Sequence, residues 1–413
     1  MSSTILGQVA ASAPARAILV AGLVCICSPL GFAQTQPSRN PSRPFGPDAC
    51  GPADPAYIRA ANETGGIPMF LQRSEAAKSF HLVRESSGKN VSIVFWATGT
   101  LDGRSKFVRI PVDSATKRIT FAFSVDTKGD QLKLTQASGG TIGEHTGSIE
   151  ETELNCGRIV TVSSPEAGEW RAEITGTGRY WLEAKAQSDI FIVSAEFVKK
   201  GGRPGHEGLF RIPGEPVAGT PAILELQLSA GVTRTTEFYL VTEEGQTIEN
   251  VPMRTVNSDP SSLEFVGSVN LPGVPFRVAV QGSDLNGEPY QRFFSNLFHG
   301  ESVEVSTRQD NDELSPGSTK QIVFTVRNVS VARTFKITVT DTRQFLANVE
   351  PKELSLGAEE SGTVRVDLNV PAETAPGVSD ALVIVASSVV GPATSNSSVV
   401  HLSVSSATSQ NLR

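Results

Sequence analysis

The chain has 413 residues, with 37 glycines and 25 prolines, and charged residues make up 19%. That length exceeds one small sandwich and suits roughly two to four domains, while the turn-rich, weakly charged composition excludes a coiled coil and a disordered chain. A net charge of −7 argues against a nucleic-acid partner, because phosphate binding needs a basic face.

Arg16 precedes an apolar run from Ala17 to Leu30 that ends in small residues near Ala33. This pattern predicts a signal peptide over residues 1–33, cleaved so that no membrane span remains. The mature protein is then secreted or extracellular, or periplasmic in a bacterial host. Cleavage removes Cys25 and Cys27 and leaves Cys50 and Cys156, an even count for an oxidising compartment. Paired, they would close a loop of about 100 residues, worth roughly 4–5 kcal/mol in the chain-entropy model; two separate thiols are the alternative. Residues 34–55 hold six prolines and no periodicity, which reads as a linker.

Residues 56–87 carry the chain's helical signals. Pro55 suits a first helical turn and Gly65-Gly66 a stop; "IPMFL" is a short strand; Ser74 starts a second helix with Ala76, Phe80 and Val83 on one stripe. An amphipathic helix this short needs a partner surface, so the segment is expected to dock on the first β unit.

From Val91 the pattern switches to period two, and the chain reads as all-β: three tandem β-sandwiches at 88–200, 201–304 and 305–406, with a polar tail at 407–413. Gly201-Gly202 and "TRQDNDELSPG" mark the boundaries. Each unit is expected to bury its own core, like beads on a string.

Motif searches point away from catalysis. The chain has no Gly-x-Ser-x-Gly, no His-Glu-x-x-His and no P-loop, and its five histidines are scattered. No cofactor is implied. Calcium is the one metal the residue types would suit, in loops that cluster oxygen side chains: Asp126 to Asp130; Asp284, Asn286 and Glu288; and Asp310 and Asp312. A hairpin turn at "LNG" and a solvated linker at "DNDE" are the competing readings. Sequons stand at Asn62, Asn90, Asn328 and Asn396.

The stretch "PEAGEWRAEITGTGRYWLEAKA" reads as a hairpin turning at Gly176 and Gly178, with Trp170 and Tyr180 inward. Trp181 falls on the opposite face with Glu183 and Lys185. It is either a contact for a ligand or partner, or a rim residue covered by a neighbouring segment.

Four stretches carry a family resemblance: "CGPADPAYIRAANETGGIPMFLQRSEAAKSF", "VDSATKRITFAFSVDTKGDQLKL", "PEAGEWRAEITGTGRYWLEAKAQSDIFIVSAEF" and "FRVAVQGSDLNGEPYQR". Over Cys50 to Val305 the chain resembles hemicentin and the von Willebrand factor A domain-containing protein 7-like family, in the region following the vWA domain. The resemblance implies a galactose-binding-like first sandwich and an Ig-like or fibronectin-like second. It makes 56–87 the closing edge of a vWA domain, and the last unit looks like Ig-like modules of secreted proteins. The Asp-x-Ser-x-Ser motif of the vWA metal site does not occur, so metal-dependent adhesion is not carried over. The expected function is a non-enzymatic extracellular structural or adhesion-type binding protein, with an extracellular protein or glycan as partner. The alternatives are a carbohydrate-binding module using Trp181, or the accessory region of a truncated multidomain protein.

Overall fold

The structure is a computed structural model. It describes residues 24–26, 50, 54–142, 148–202, 205, 207–212, 214–229, 232–256, 263–308, 311–391 and 393–405. The expected leader, most of the proline-rich linker and the tail lie outside them, apart from a short strand, Val24–Ile26, running parallel to Met69–Leu71.

Three sandwiches follow a small α/β segment, and the architecture is all-β. In the first, a sheet containing Val91–Asp102, Thr177–Gln187, Arg118–Val125, Gly157–Ser163 and Ile149–Leu154 faces a smaller one of Lys106–Val112, Gly168–Thr175 and Gln131–Thr135. Alternating residues of both layers fill the space between them, with Trp170 stacked on Phe121 at 5.6 Å between ring centroids. In the second, a five-stranded sheet (Gly208–Arg211, Ile192–Gly201, Pro221–Leu228, Glu264–Asn270, Met253–Thr255) packs on Thr247–Val251, Val232–Thr242, Phe276–Asp284 and Pro289–Phe293. The third has four-stranded and five-stranded sheets around Ile322, Phe324, Val364, Val366 and Ile384.

The first two units are not independent beads. Phe293 pairs with Ile93, which joins one sheet of each into a single nine-stranded sheet. Ile93, Trp96, Tyr239, Val241, Ala279 and Phe293 form a buried cluster across the seam. Local periodicity predicts each strand but carries no information about which distant strand lies beside it.

The stretch from Pro165 to Ala186 also differs from its sequence reading. Gly168–Thr175 and Thr177–Gln187 belong to opposite sheets, so the chain crosses the sandwich at Gly176 instead of turning back as a hairpin. Gly176 has φ +142°, and a Cβ there would lie 1.8 Å from Asp130 Oδ1. Glycine is therefore required where the Asp130 carboxylate closes over the crossing.

The N-terminal segment is docked. Asp54 caps the helix Pro55–Glu63 by accepting from Ala56 N. The second helix, Ser79–Ser86, buries Ser79, His81, Leu82 and Glu85. Phe80, expected on the buried stripe, is 71% exposed. The reason is a 3₁₀ turn over Arg73–Lys78, which advances the chain at three residues per turn and rotates the following helix.

Candidate functional site

The sequence left Trp181 as either a ligand or partner contact or a rim residue covered by a neighbouring segment, and the structure places it under the docked segment. It is 1% exposed and packs with Ile67, Met69, Leu71, Leu82, Ala122 and Ile159. Phe70 lies 5.5 Å from its ring and the Arg179 guanidinium 4.9 Å from it. This corrects the reading of Trp181 as a ligand platform: the indole anchors the chain's own N-terminal segment. The alternation was read correctly, since Trp181, Glu183 and Lys185 do share a face, but that face is covered.

Beyond Trp181 the covered face is ionic. Glu183 is buried with Lys185 Nζ 3.1 Å away. Burial pushes the Glu183 carboxyl up, against the pull of Lys185 and Arg277. Arg277 reaches in from the second sandwich, 5.0 Å from the Trp96 ring, and donates to the carbonyls of Ser295 and Asn62. Burial lowers its pKa to about 10, opposed by Glu183 and Glu243. Trp96 Nε1 donates to Glu243 O at 2.8 Å and Asn62 Nδ2 to Glu243 Oε1 at 3.0 Å. Segment, first sandwich and second sandwich therefore meet in one network.

Farther along the same face, His81 sits between Thr152 Oγ1 at 2.8 Å and Thr161 Oγ1 at 3.0 Å. Burial holds its pKa below the usual histidine value. His81, Glu85 and Glu150 come close enough to suggest a metal site. However, Arg84 bonds both carboxylates, at 2.7 and 2.6 Å, and Arg118 adds a 3.0 Å contact to Glu85. The cationic charge is already supplied by the protein, and both ring nitrogens of His81 are engaged. The i, i+4 spacing of His81 and Glu85 on one helix is visible in the sequence, but Glu150 comes from a distant strand that no local pattern links to them.

The calcium expectation is corrected at Asp284. Its Oδ2 accepts from Ser114 N and Oγ at 2.8 and 2.6 Å, and its Oδ1 from the amides of Asn286 and Glu288, each at 2.9 Å. Burial would raise its pKa, but these donors hold it below the usual carboxylate range. Asn286 Nδ2 bonds Ser114 Oγ at 2.7 Å. Asp284, Asn286 and Glu288 thus form a hairpin turn clamped to the first sandwich. Asp126 and Asp130 likewise cap Arg179 N at 2.7 Å and Thr177 N at 2.8 Å. Asp310 and the side chain of Asp312 lie outside the described residues.

Cys50 and Cys156 are disulfide-bonded. Beside the seam, Arg292 Nη2 lies 2.6 Å from Asp113 Oδ2, with both side chains fully buried. Ser188 and Thr116 donate to the same carboxylate, each at 2.9 Å. Of the four sequons, Asn328 and Asn396 are buried and spend their amide hydrogens on backbone carbonyls, while Asn90 is exposed.

Asn396 also marks the joint to the third sandwich. Its Oδ1 accepts from Glu215 N, and its Nδ2 donates to Glu215 O, both at 2.9 Å, and to Val303 O at 2.8 Å. A cleft of about 460 Å³ opens beside this clamp, and an open trough of about 1150 Å³ continues along the outer face of the five-stranded sheet.

Fold and site together define a multi-sandwich β-protein built around interdomain clamps, with open clefts between and beside its modules. Residues 303–406 match the family model of the VWA7 Ig-like domain. Hemicentin-1 from Mus musculus is 23% identical over 270 residues, covering 63% of this chain and 5% of that protein. Residues 303–406 are thus similar to a VWA7-type Ig-like domain and the chain to part of hemicentin-1, of whose length it spans about one twentieth.

Solved structures give weaker likenesses. The propeptide form of Bacillus licheniformis lipase BlEst2 is 12% identical at a TM-score of 0.25, over 58% of this chain and 41% of that one. WR4, a C. elegans MSP family member, is 15% identical at a TM-score of 0.20, over 25% and 99%. The complex of Dpr2 Ig1-Ig2 with DIP-Theta Ig1-Ig3 is 7% identical at a TM-score of 0.18, over 77% and 99%. These scores are too low to carry an argument about fold or function.

Proposed function

We propose that this chain is a secreted, non-enzymatic structural or adhesion-type protein that binds an extracellular macromolecule through its sandwich surfaces. The observation that supports this most is the shared nine-stranded sheet. It holds two sandwiches in one fixed relation, as a scaffold that displays surfaces needs. The VWA7-type Ig-like match and the hemicentin relationship favour the same reading. Among the described residues no helix is long and apolar enough to cross a membrane.

The test is to immobilise the disulfide-intact mature chain, screen fractionated extracellular-matrix or envelope proteins, and re-bind each hit as a purified protein. Recovery of a defined partner with saturable binding is expected. If no macromolecule rebinds, the reading fails. A glycan array run in parallel decides between protein and sugar, and because Trp181 is covered, Trp181→Phe is expected to leave any glycan signal unchanged.

A further inference from the structure

The second sandwich leaves part of one sheet face uncovered. On the strand Pro221–Leu228, Leu224, Leu226 and Leu228 enter the core, so Ile223 and Glu225 face outward. Ile223 pairs with Val198 on one side and Ser268 on the other, and Glu225 with Glu196 and Val266. The third sandwich closes over one end of this face. Its residues Glu304 to Thr307 and Asn396 to Ser398 line the cleft with Val198 and Ile223, and Val198 is buried. The trough continues from that interface across the sheet, sharing Lys200 and Ile223 with the cleft, to the edge strand Met253–Thr255. Leu209, Ile223, Met253 and Val266 give it apolar ground.

Glu225 is the anomaly in that floor. Like charges directly opposite on neighbouring strands destabilise a sheet, yet Glu196 stands opposite Glu225. Arg211 lies 3.9 Å from Glu196, while Glu225 has no ion-pair partner among the described residues. Burial and then the carboxylates of Glu264 and Glu196 push its pKa up. Lys200 and Arg254 also line the trough. Crossing five strands gives the trough a length of roughly 19 Å, the span of about six extended residues.

We infer that this trough binds an extended polypeptide segment with a lysine or arginine over Glu225 and apolar side chains over Leu209, Ile223 and Val266. A cation there relieves the Glu196–Glu225 repulsion, and the apolar contacts extend the surface that the third sandwich already covers. The inference rests on the scaffold reading above and names a surface for it.

The test uses the mature chain and a panel of fluorescent alternating hexapeptides of Val, Leu and Thr, each with a central Lys, norleucine or Glu. Saturable binding of lysine members is expected, weakened at least tenfold by the norleucine and Glu replacements and by Glu225→Lys in the protein. Glu225 points outward and faces Glu196, so Glu225→Lys and Glu225→Gln should fold and melt no lower than the wild type. No lysine-dependent binding, or binding untouched by Glu225→Lys, overturns the inference. So does sedimentation showing a dimer whose association Glu225→Lys abolishes, since a second copy is then the occupant. A peptide failure with a macromolecular partner still rebinding sinks this surface alone, whereas loss of both sinks the scaffold reading as well.

Discussion

The two interdomain joints solve the same problem differently. Between the first and second sandwiches the contact is a continued sheet, an apolar cluster and a fully buried ion pair. Between the second and third it is a hydrogen-bond clamp, with Asn396 on Glu215 and Thr394 Oγ1 donating to Glu301 Oε2, and an open cleft lies beside it. The first joint excludes water, so disturbing it leaves charges or apolar surface stranded. Breaking the second exposes polar groups that water can serve. The first should therefore behave as part of a domain core, and the second as a separable contact.

The largest expected effect concerns the disulfide, whose partners lie 106 residues apart. Cys50→Ser with Cys156→Ser should cost about 4–5 kcal/mol in the chain-entropy model. Calorimetry should show the loss in the transition shared by the first two sandwiches and leave the third unchanged; a loss confined to the third would break the comparison. Next is Arg292→Met, which strands buried Asp113 and should cost about 3–5 kcal/mol. If the first two sandwiches then melt separately with little loss, they are not one unit.

Asn396→Ala should cost about 1–3 kcal/mol, because Glu215 and Val303 lose buried hydrogen bonds. Limited proteolysis should then release the third sandwich while the first two keep their melting temperature. The smallest effect is pH-dependent. Burial holds His81 below its unfolded value of 6.5, so its neutral form belongs to the folded state. Its stabilising contribution is full above pH 6.5 and is lost as the pH falls through that value toward the folded pKa. Hydrogen-exchange protection over residues 55–86, corrected for the intrinsic pH dependence of amide exchange, should fall on acidification in the wild type and less so in His81→Gln; equal responses would remove His81 from the cause.

The alternation of Ile322, Phe324 and Val326, or of Val364, Val366 and Leu368, made the third core legible in the sequence. Each of these residues is buried, because a strand's period of two is a local property. Phe80 was misjudged because a 3₁₀ turn shifts the helical phase, and sequence reading assumed a uniform 3.6. Trp181 was placed on the right face, but what covers it comes from a segment about 100 residues earlier in the chain. The carboxylates of Asp126, Asp130 and Asp284 resembled cation ligands because Asp serves both purposes. Only the backbone donors around them, set by tertiary structure, decide between a cap and a metal ligand.

The strand Asn311–Leu314 lies parallel to Ser395–Val404, pairing His401, Leu402, Ser403 and Val404 in sequence. The chain enters the module through Val303–Thr307, which is paired with Thr319–Asn328, runs on through Asn311–Leu314, and leaves through Ser395–Val404. Once load passes Val303–Thr307, tension toward Val404 pulls Asn311–Leu314 and Ser395–Val404 in opposite directions along a common axis. Their hydrogen bonds bear the load together, in shear, and do not open one at a time. That arrangement places the module's resistance to stretching in this one strand pair.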